Sequence, residues 1–221
     1  MTTFALIGAG PGLGAATARR FGREGFDIAL VARSRDRLDA LAAELAEDGV
    51  RARGFTADVR DPEALTAALD RAAADLGPIE ALQYSPVPHP DFMRPIDRTD
   101  PRDLRGPLDF SLFGPMTAVS RVLPGMRALG RGTLLFVNGG SAVRPHHERA
   151  GTSIAFAAEG AYARMLHDSL AAENIRVAQL IVPGAITPGD AHTDPARLAD
   201  LLWDLHQRGG EFRYFAAPVD D

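Results

Sequence analysis

Short apolar runs alternate along the chain with longer segments whose apolar residues recur every three to four positions. The first run, FALI at 4–7, reads as part of a strand over 3–7, and the segment near 13–24 as a helix with one buried side. The same reading gives strands near 27–32, 51–56, 79–83, 133–138 and 176–182, helices near 35–47, 62–75, 103–129, 153–173 and 195–207, and a last strand at 211–216. Strands separated by helices pair in parallel through right-handed crossovers. The pattern therefore predicts one α/β domain over residues 1–221, a doubly wound parallel sheet of about seven strands with helices on both faces. Pro115 falls inside the fourth helix and is expected to bend it or shift its start, since the ring removes a hydrogen bond and clashes with the preceding turn. The proline-rich SPVPHPDFMRP at 85–95 follows a strand and reads as a loop over the site.

Composition narrows the function. A chain of 221 residues, 46% hydrophobic, suits one sizeable core. Its net charge of −5 is interspersed, and no basic stripe carries aromatics, so nucleic acid is not expected as a partner. The N-terminus MTTFALIGAG has no basic leader and its apolar run stops at Gly8, so neither a signal peptide nor a membrane span is expected and the location reads as cytoplasmic. The absence of cysteine excludes thiolate chemistry, and His146, His147 and Glu148 lack a ligand spacing, so no metal is expected. All 24 basic residues are arginine. No step in this protein can use a lysine amine.

The segment FALIGAGPGLGAATARRF runs from strand through glycines into an alanine-rich helix, the context of a phosphate-binding turn. Two registers fit: Gly8, Gly12 and Gly14 as GxxxGxG, or Gly10 and Gly12 followed by Ala15 as GxGxxA. Either makes the backbone of Gly8, Gly10, Pro11, Gly12, Leu13 and Gly14 the candidate cradle for a pyrophosphate, with amides and positive dipole supplied by the helix start. The second strand ends in Arg33 and Ser34 rather than in the carboxylate that would bond a bare ribose. An arginine there pairs with a 2′-phosphate, which favours NADP(H) over NAD(H). Asp58, after the third strand, is placed to accept the adenine amino group with Val59 packed on the ring, or to cap the following helix.

With these residues placed, the chain resembles the short-chain dehydrogenase/reductase family over nearly its whole length. The anchors are GxxxGxG at 8–14, ARS at 32–34, DV at 58–59, SLAAENIRV at 169–177 and PGAI at 183–186. The resemblance implies a Rossmann-fold oxidoreductase acting on a small carbonyl or alcohol substrate. It also implies that Pro183, Gly184 and Ile186 close over the nicotinamide, and that the chain forms a homodimer or homotetramer. The family's catalytic set is missing, which marks a divergent subgroup. Counting back from Ser169, Phe156 stands at the place of the tyrosine and Gly160 at the place of the lysine. Ser111 stands at the place of the helix asparagine, Gly139 at that of the serine with Ser141 two residues late, and YSPV at 84–87 at that of the NNAG segment.

Few groups remain to supply a proton. Tyr162 is turned roughly 120° from Phe156 around the helix. Tyr84 ends the fourth strand, where it either donates to a carbonyl or packs its ring beside the cofactor ribose. His89, His146 and His147 lie on loops after the fourth and fifth strands. The reading is an atypical oxidoreductase, with a non-catalytic NADP-binding sensor or partner subunit as the alternative.

Overall fold

The structure, a computed structural model, describes residues 2–219. Seven strands form one sheet: β1 (Thr3–Ile7), β2 (Asp27–Ala32), β3 (Ala52–Thr56), β4 (Ile79–Tyr84), β5 (Gly132–Gly139), β6 (Ile175–Val182) and β7 (Arg213–Phe215). Their order is β3-β2-β1-β4-β5-β6-β7 and every pairing is parallel. Helices cover both faces, which is why β1 and β4 are buried at every position instead of alternating.

The helices are α1 (Leu13–Arg23), α2 (Arg35–Glu47), α3 (Pro62–Leu76), α4 (Arg105–Leu108), α5 (Gly114–Leu129), α6 (Ala150–Leu170) and α7 (Pro195–Arg208). One core layer joins the sheet to α3, α5 and α6 through residues such as Leu65, Val122 and Ala163. The other joins it to α1, α2 and α7 through Phe21, Leu38 and Leu202.

The fourth helix differs most from its expected form. It is not continuous over 103–129: a 3₁₀ turn, Pro101–Leu104, leads into α4, and a π-helical turn, Asp109–Phe113, joins α4 to α5. Pro115 lies in the first turn of α5, and the wider π turn before it absorbs the hydrogen bond that proline cannot make. The expected fifth helix, α6, also starts earlier than 153, at Ala150. The chain order reverses between β1 and β4, so the crevice beyond their carboxyl ends is the place where this architecture binds ligands.

Candidate functional site

The glycine turn divides into packing positions and open ones. Gly8 has φ +91°, and a Cβ on it would lie 2.5 Å from the backbone nitrogen of Pro86. Gly14 lets α1 approach the sheet: its Cβ would stand 3.4 Å from the Leu6 side chain and from Ala9. At Gly10 and Gly12 a Cβ would meet nothing within 4 Å. Gly12 caps α1 without any side-chain bond, and no acidic residue offsets the helix dipole in the first turn. Pro11 is exposed, Leu13 is buried, and the Leu13 and Gly14 amides have no backbone acceptor among the described residues. This is a cradle that fits a pyrophosphate.

At the end of β2, the Ser34 hydroxyl accepts the Arg37 amide at 3.4 Å and caps α2. Arg33 is exposed and makes no salt bridge among the described residues, whereas Arg35 is held by Asp39 at 2.8 Å. Asp58 accepts the Arg60 amide at 2.9 Å and its guanidinium at 2.8 Å. Those bonds, the side-chain one foremost, hold its carboxyl below the ordinary aspartate range. Asp58 does not cap the next helix. Asp61 does, accepting the Ala64 amide at 2.9 Å. Val59 is buried in the core layer that includes Leu65 and Tyr84.

Tyr84 is 2% exposed, and its hydroxyl donates to the carbonyl of Phe110 in the π turn. Gly114 makes the room, since a Cβ there would stand 2.5 Å from the phenol oxygen. Burial first, then the carboxylates of Glu159 and Asp58, raise its pKa well above the ordinary value. Tyr84 is thus a core residue with its proton committed, not a donor facing the crevice or a ring lying beside a ribose. Tyr84→Phe would leave the Phe110 carbonyl buried without its donor, and is expected to cost about 1–3 kcal/mol in denaturant unfolding while leaving nucleotide affinity unchanged.

Where β5 ends, the ring of Phe156 lies 3.9 Å from the place a Cβ of Gly139 would take. Phe156 is 6% exposed and packs with Ala142 and Ile181. Ser141 is half-buried in the 3₁₀ turn Gly140–Ala142. Ser111 is buried inside the π turn. Gly160 faces the sheet, and a Cβ on it would stand 3.2 Å from Gln179 Nε2 and 3.3 Å from Arg213 Nη2. Tyr162, half-buried, packs edge-on against Phe136 at 6.5 Å, against a core layer other than the one holding Phe156.

Beyond β6, Pro183 approaches Gly140, Gly184 takes φ +79°, and Ile186 is exposed. The loop after them is knit to itself: Thr187 donates to Thr193, Asp190 accepts the Thr193 amide, and Asp194 caps α7. His89 and His146 are exposed and each accepts an amide two residues on, from Asp91 at 3.3 Å and Glu148 at 3.2 Å. His147 stacks on His146 at 5.0 Å.

One buried group escaped the sequence reading. Glu159 on α6 is 1% exposed, and the Asn138 side chain donates to it at 2.8 Å. Burial raises its carboxyl to about 8. The signal was there: in FAAEGAYA, Glu159 stands three residues after Phe156, on the buried side of an otherwise apolar helix.

No described helix is long and apolar enough to cross a membrane. Among solved structures, a short-chain dehydrogenase from Rhodopseudomonas palustris has a TM-score of 0.87 at 27% identity, with 99% of each chain covered. L-sorbose reductase from Gluconobacter frateurii, solved with NADPH and L-sorbose, has a TM-score of 0.85 at 24% identity over 97% of this chain and 94% of that one. Among curated proteins, the chain is 29% identical to the 3-dehydrosphinganine reductase TSC10B of Arabidopsis thaliana over 83% of its own length, and spans just 55% of that relative. It is 26% identical to the 2,3-dihydro-2,3-dihydroxybenzoate dehydrogenase of Bacillus subtilis, covering 90% of this chain and 71% of the relative. The family model described as short chain dehydrogenase matches residues 2–197. With the glycine turn, the sheet order and this match in agreement, the chain belongs to the short-chain dehydrogenase/reductase family.

Proposed function

We propose that the protein binds NADP(H) in the crevice beyond β1 and β4 and acts as an atypical oxidoreductase on a small carbonyl or alcohol substrate. The observation that carries the reading is the pairing of an open glycine cradle with an exposed Arg33 that makes no salt bridge among the described residues, near enough to Asp58 for its charge to be felt there. NADPH present in the L-sorbose reductase structure and NADP in that of a metagenomic short-chain oxidoreductase support the same nucleotide in the same fold. Arg33 supplies a planar, permanently charged partner for a 2′-phosphate. Pro183, Gly184 and Ile186 border the other end.

Bound NADPH supplies hydride, and the chain's own part is to bind, orient and exclude water. Proton supply is the weak step. Phe156 presents an apolar ring at the end of β5, Tyr84 is bonded to Phe110, and the chain has no lysine. The donors left near the crevice mouth are Ser141, the rim histidines and water. Lost acid–base help costs about 10²–10⁴-fold in rate, so slow turnover is the expected result. Phe156 and the buried Tyr84 hydroxyl also favour a second reading, a non-catalytic subunit that senses the nucleotide's redox state.

Arg33→Ala is expected to weaken NADPH by about 10–100-fold, the worth of a charge-assisted phosphate contact, and to leave NADH unchanged in a calorimetric titration. Equal weakening of both nucleotides would remove Arg33 from the phosphate. Following NADPH absorbance with a panel of aldehydes and ketones then separates the two readings: slow oxidation supports the oxidoreductase, and tight binding without turnover supports the sensor.

A further inference from the structure

Behind the crevice floor runs a row of polar side chains, buried at Gln179, Asn138 and Glu159 and half-buried at Arg213, that takes no part in the proposed nucleotide binding. Arg213 Nε donates to Gln179 Oε1, Gln179 Nε2 to Asn138 Oδ1, and Asn138 Nδ2 to Glu159 Oε2, each at 2.8 Å. All donors point one way, so the two amide dipoles add along the row from guanidinium to carboxyl. The missing side chain at Gly160 gives Gln179 and Arg213 their space. Glu159 Oε1 ends the row with no partner among the described residues. A buried carboxyl with one oxygen orphaned is a costly feature where an apolar residue would pack.

The row lies close under the site. Asn138 is the next-to-last residue of β5, and Phe156, one turn from Glu159, packs over Gly139 at that strand's end. The charge of Glu159 also reaches Tyr84 at the end of β4. The other groups around it are few. Tyr84 and Tyr162 are phenols held neutral by burial, Asp58 lies beyond β3, and Arg213, with Arg164 beside it, stands two amides away. No described cation touches the carboxyl, and desolvation raises it to about 8 while Asn138 pulls the other way.

We propose that Glu159 is a proton-coupled sensor of the nucleotide's charge, a neutral acid beneath NADPH and a carboxylate beneath NADP⁺, so that the oxidised form binds with release of a proton. This rests on the nucleotide binding proposed above. The oxidised nicotinamide ring is a cation and the reduced ring is neutral, so only the oxidised form gains from a carboxylate under a poorly solvated floor. The one bond broken is the acid O–H, and its proton goes to the buffer.

Calorimetric titration of the full chain with each nucleotide, from about pH 6.5 to about pH 9 and in two buffers of different ionisation enthalpy, counts the protons. The expected result is proton release with NADP⁺ and an affinity that rises about tenfold across the range, one pH unit of linkage, against a flat profile for NADPH. The 2′-phosphate is common to both nucleotides and cancels in the difference. Glu159→Gln erases that difference. Equal proton exchange for the two nucleotides, or a difference that survives Glu159→Gln, overturns the proposal. If that variant does not fold, Asn138→Leu, which removes the carboxylate's donor, moves the midpoint upward, and an unmoved midpoint is equally fatal. Binding without proton linkage sinks only this inference, whereas no binding of either nucleotide sinks the proposed function and this inference with it.

Discussion

Gly12→Val is expected to weaken NADPH by at least about 100-fold, more than 2.7 kcal/mol, with little change in the unfolding midpoint. Gly12 is exposed at the start of α1 and a Cβ there meets nothing, so the added isopropyl group fills the space in which a pyrophosphate would lie against the helix amides. Gly8→Ala reverses the pattern. Its φ of +91° disfavours any side chain, and its Cβ would fall 2.5 Å from the Pro86 backbone nitrogen, which cannot move aside as a flexible side chain does. The expected cost is about 2–5 kcal/mol of stability, from left-handed backbone plus overpacking. Denaturant unfolding and nucleotide titration on both variants separate a packing glycine from a binding one. A large loss of stability at Gly12 with affinity intact would contradict the assignment.

The stability of the free protein is expected to hold a plateau from about pH 4.5 to about pH 6.5 and then to fall toward pH 8 by up to about 1.4 kcal/mol per pH unit. Two buried groups set this shape. Glu159 rises from an unfolded value of 4.5 to about 8, so through that window the native state holds a proton that the unfolded chain has lost, and stability declines as pH rises. His206 is lowered from 6.5 to about 4, mainly by burial, and sits among Phe21, Phe26 and Trp203 with Thr133 at 2.9 Å. Between those values the unfolded chain holds the extra proton, and stability climbs as pH rises. The two slopes cancel below 6.5, and Glu159 acts alone above it. In Glu159→Gln the plateau becomes a rise to about pH 6.5 followed by a level stretch. A native profile that stays level from 6.5 to 8 would mean that Glu159 is ionised in the folded protein.

The strands were legible because parallel strands covered on both faces read as unbroken apolar runs, as β1 and β2 do. The glycine turn was legible too, since glycines between strand and helix carry their own backbone requirement. What the sequence hid depends on contacts between distant segments. Tyr84 stands at a strand end, and what the sequence hid is the fit of its hydroxyl, which lies in the room left by Gly114 and donates to the Phe110 carbonyl of the π turn. Leu82, two residues before it, lies in the same core layer, so the period of the strand already aimed Tyr84 at α5 and α6 rather than at the crevice. The partners of Glu159 come from β5, β6 and β7, and no local pattern joins Asn138, Gln179 and Arg213.

Calorimetric titration of the native chain with NADPH and NADH at fixed ionic strength is the decisive test of whether this crevice holds NADP(H). The expected result is one NADPH per chain, bound about 10–100-fold more tightly than NADH through the 2′-phosphate. Equal affinity for the two would contradict the role of Arg33, and no heat with either would contradict nucleotide binding itself.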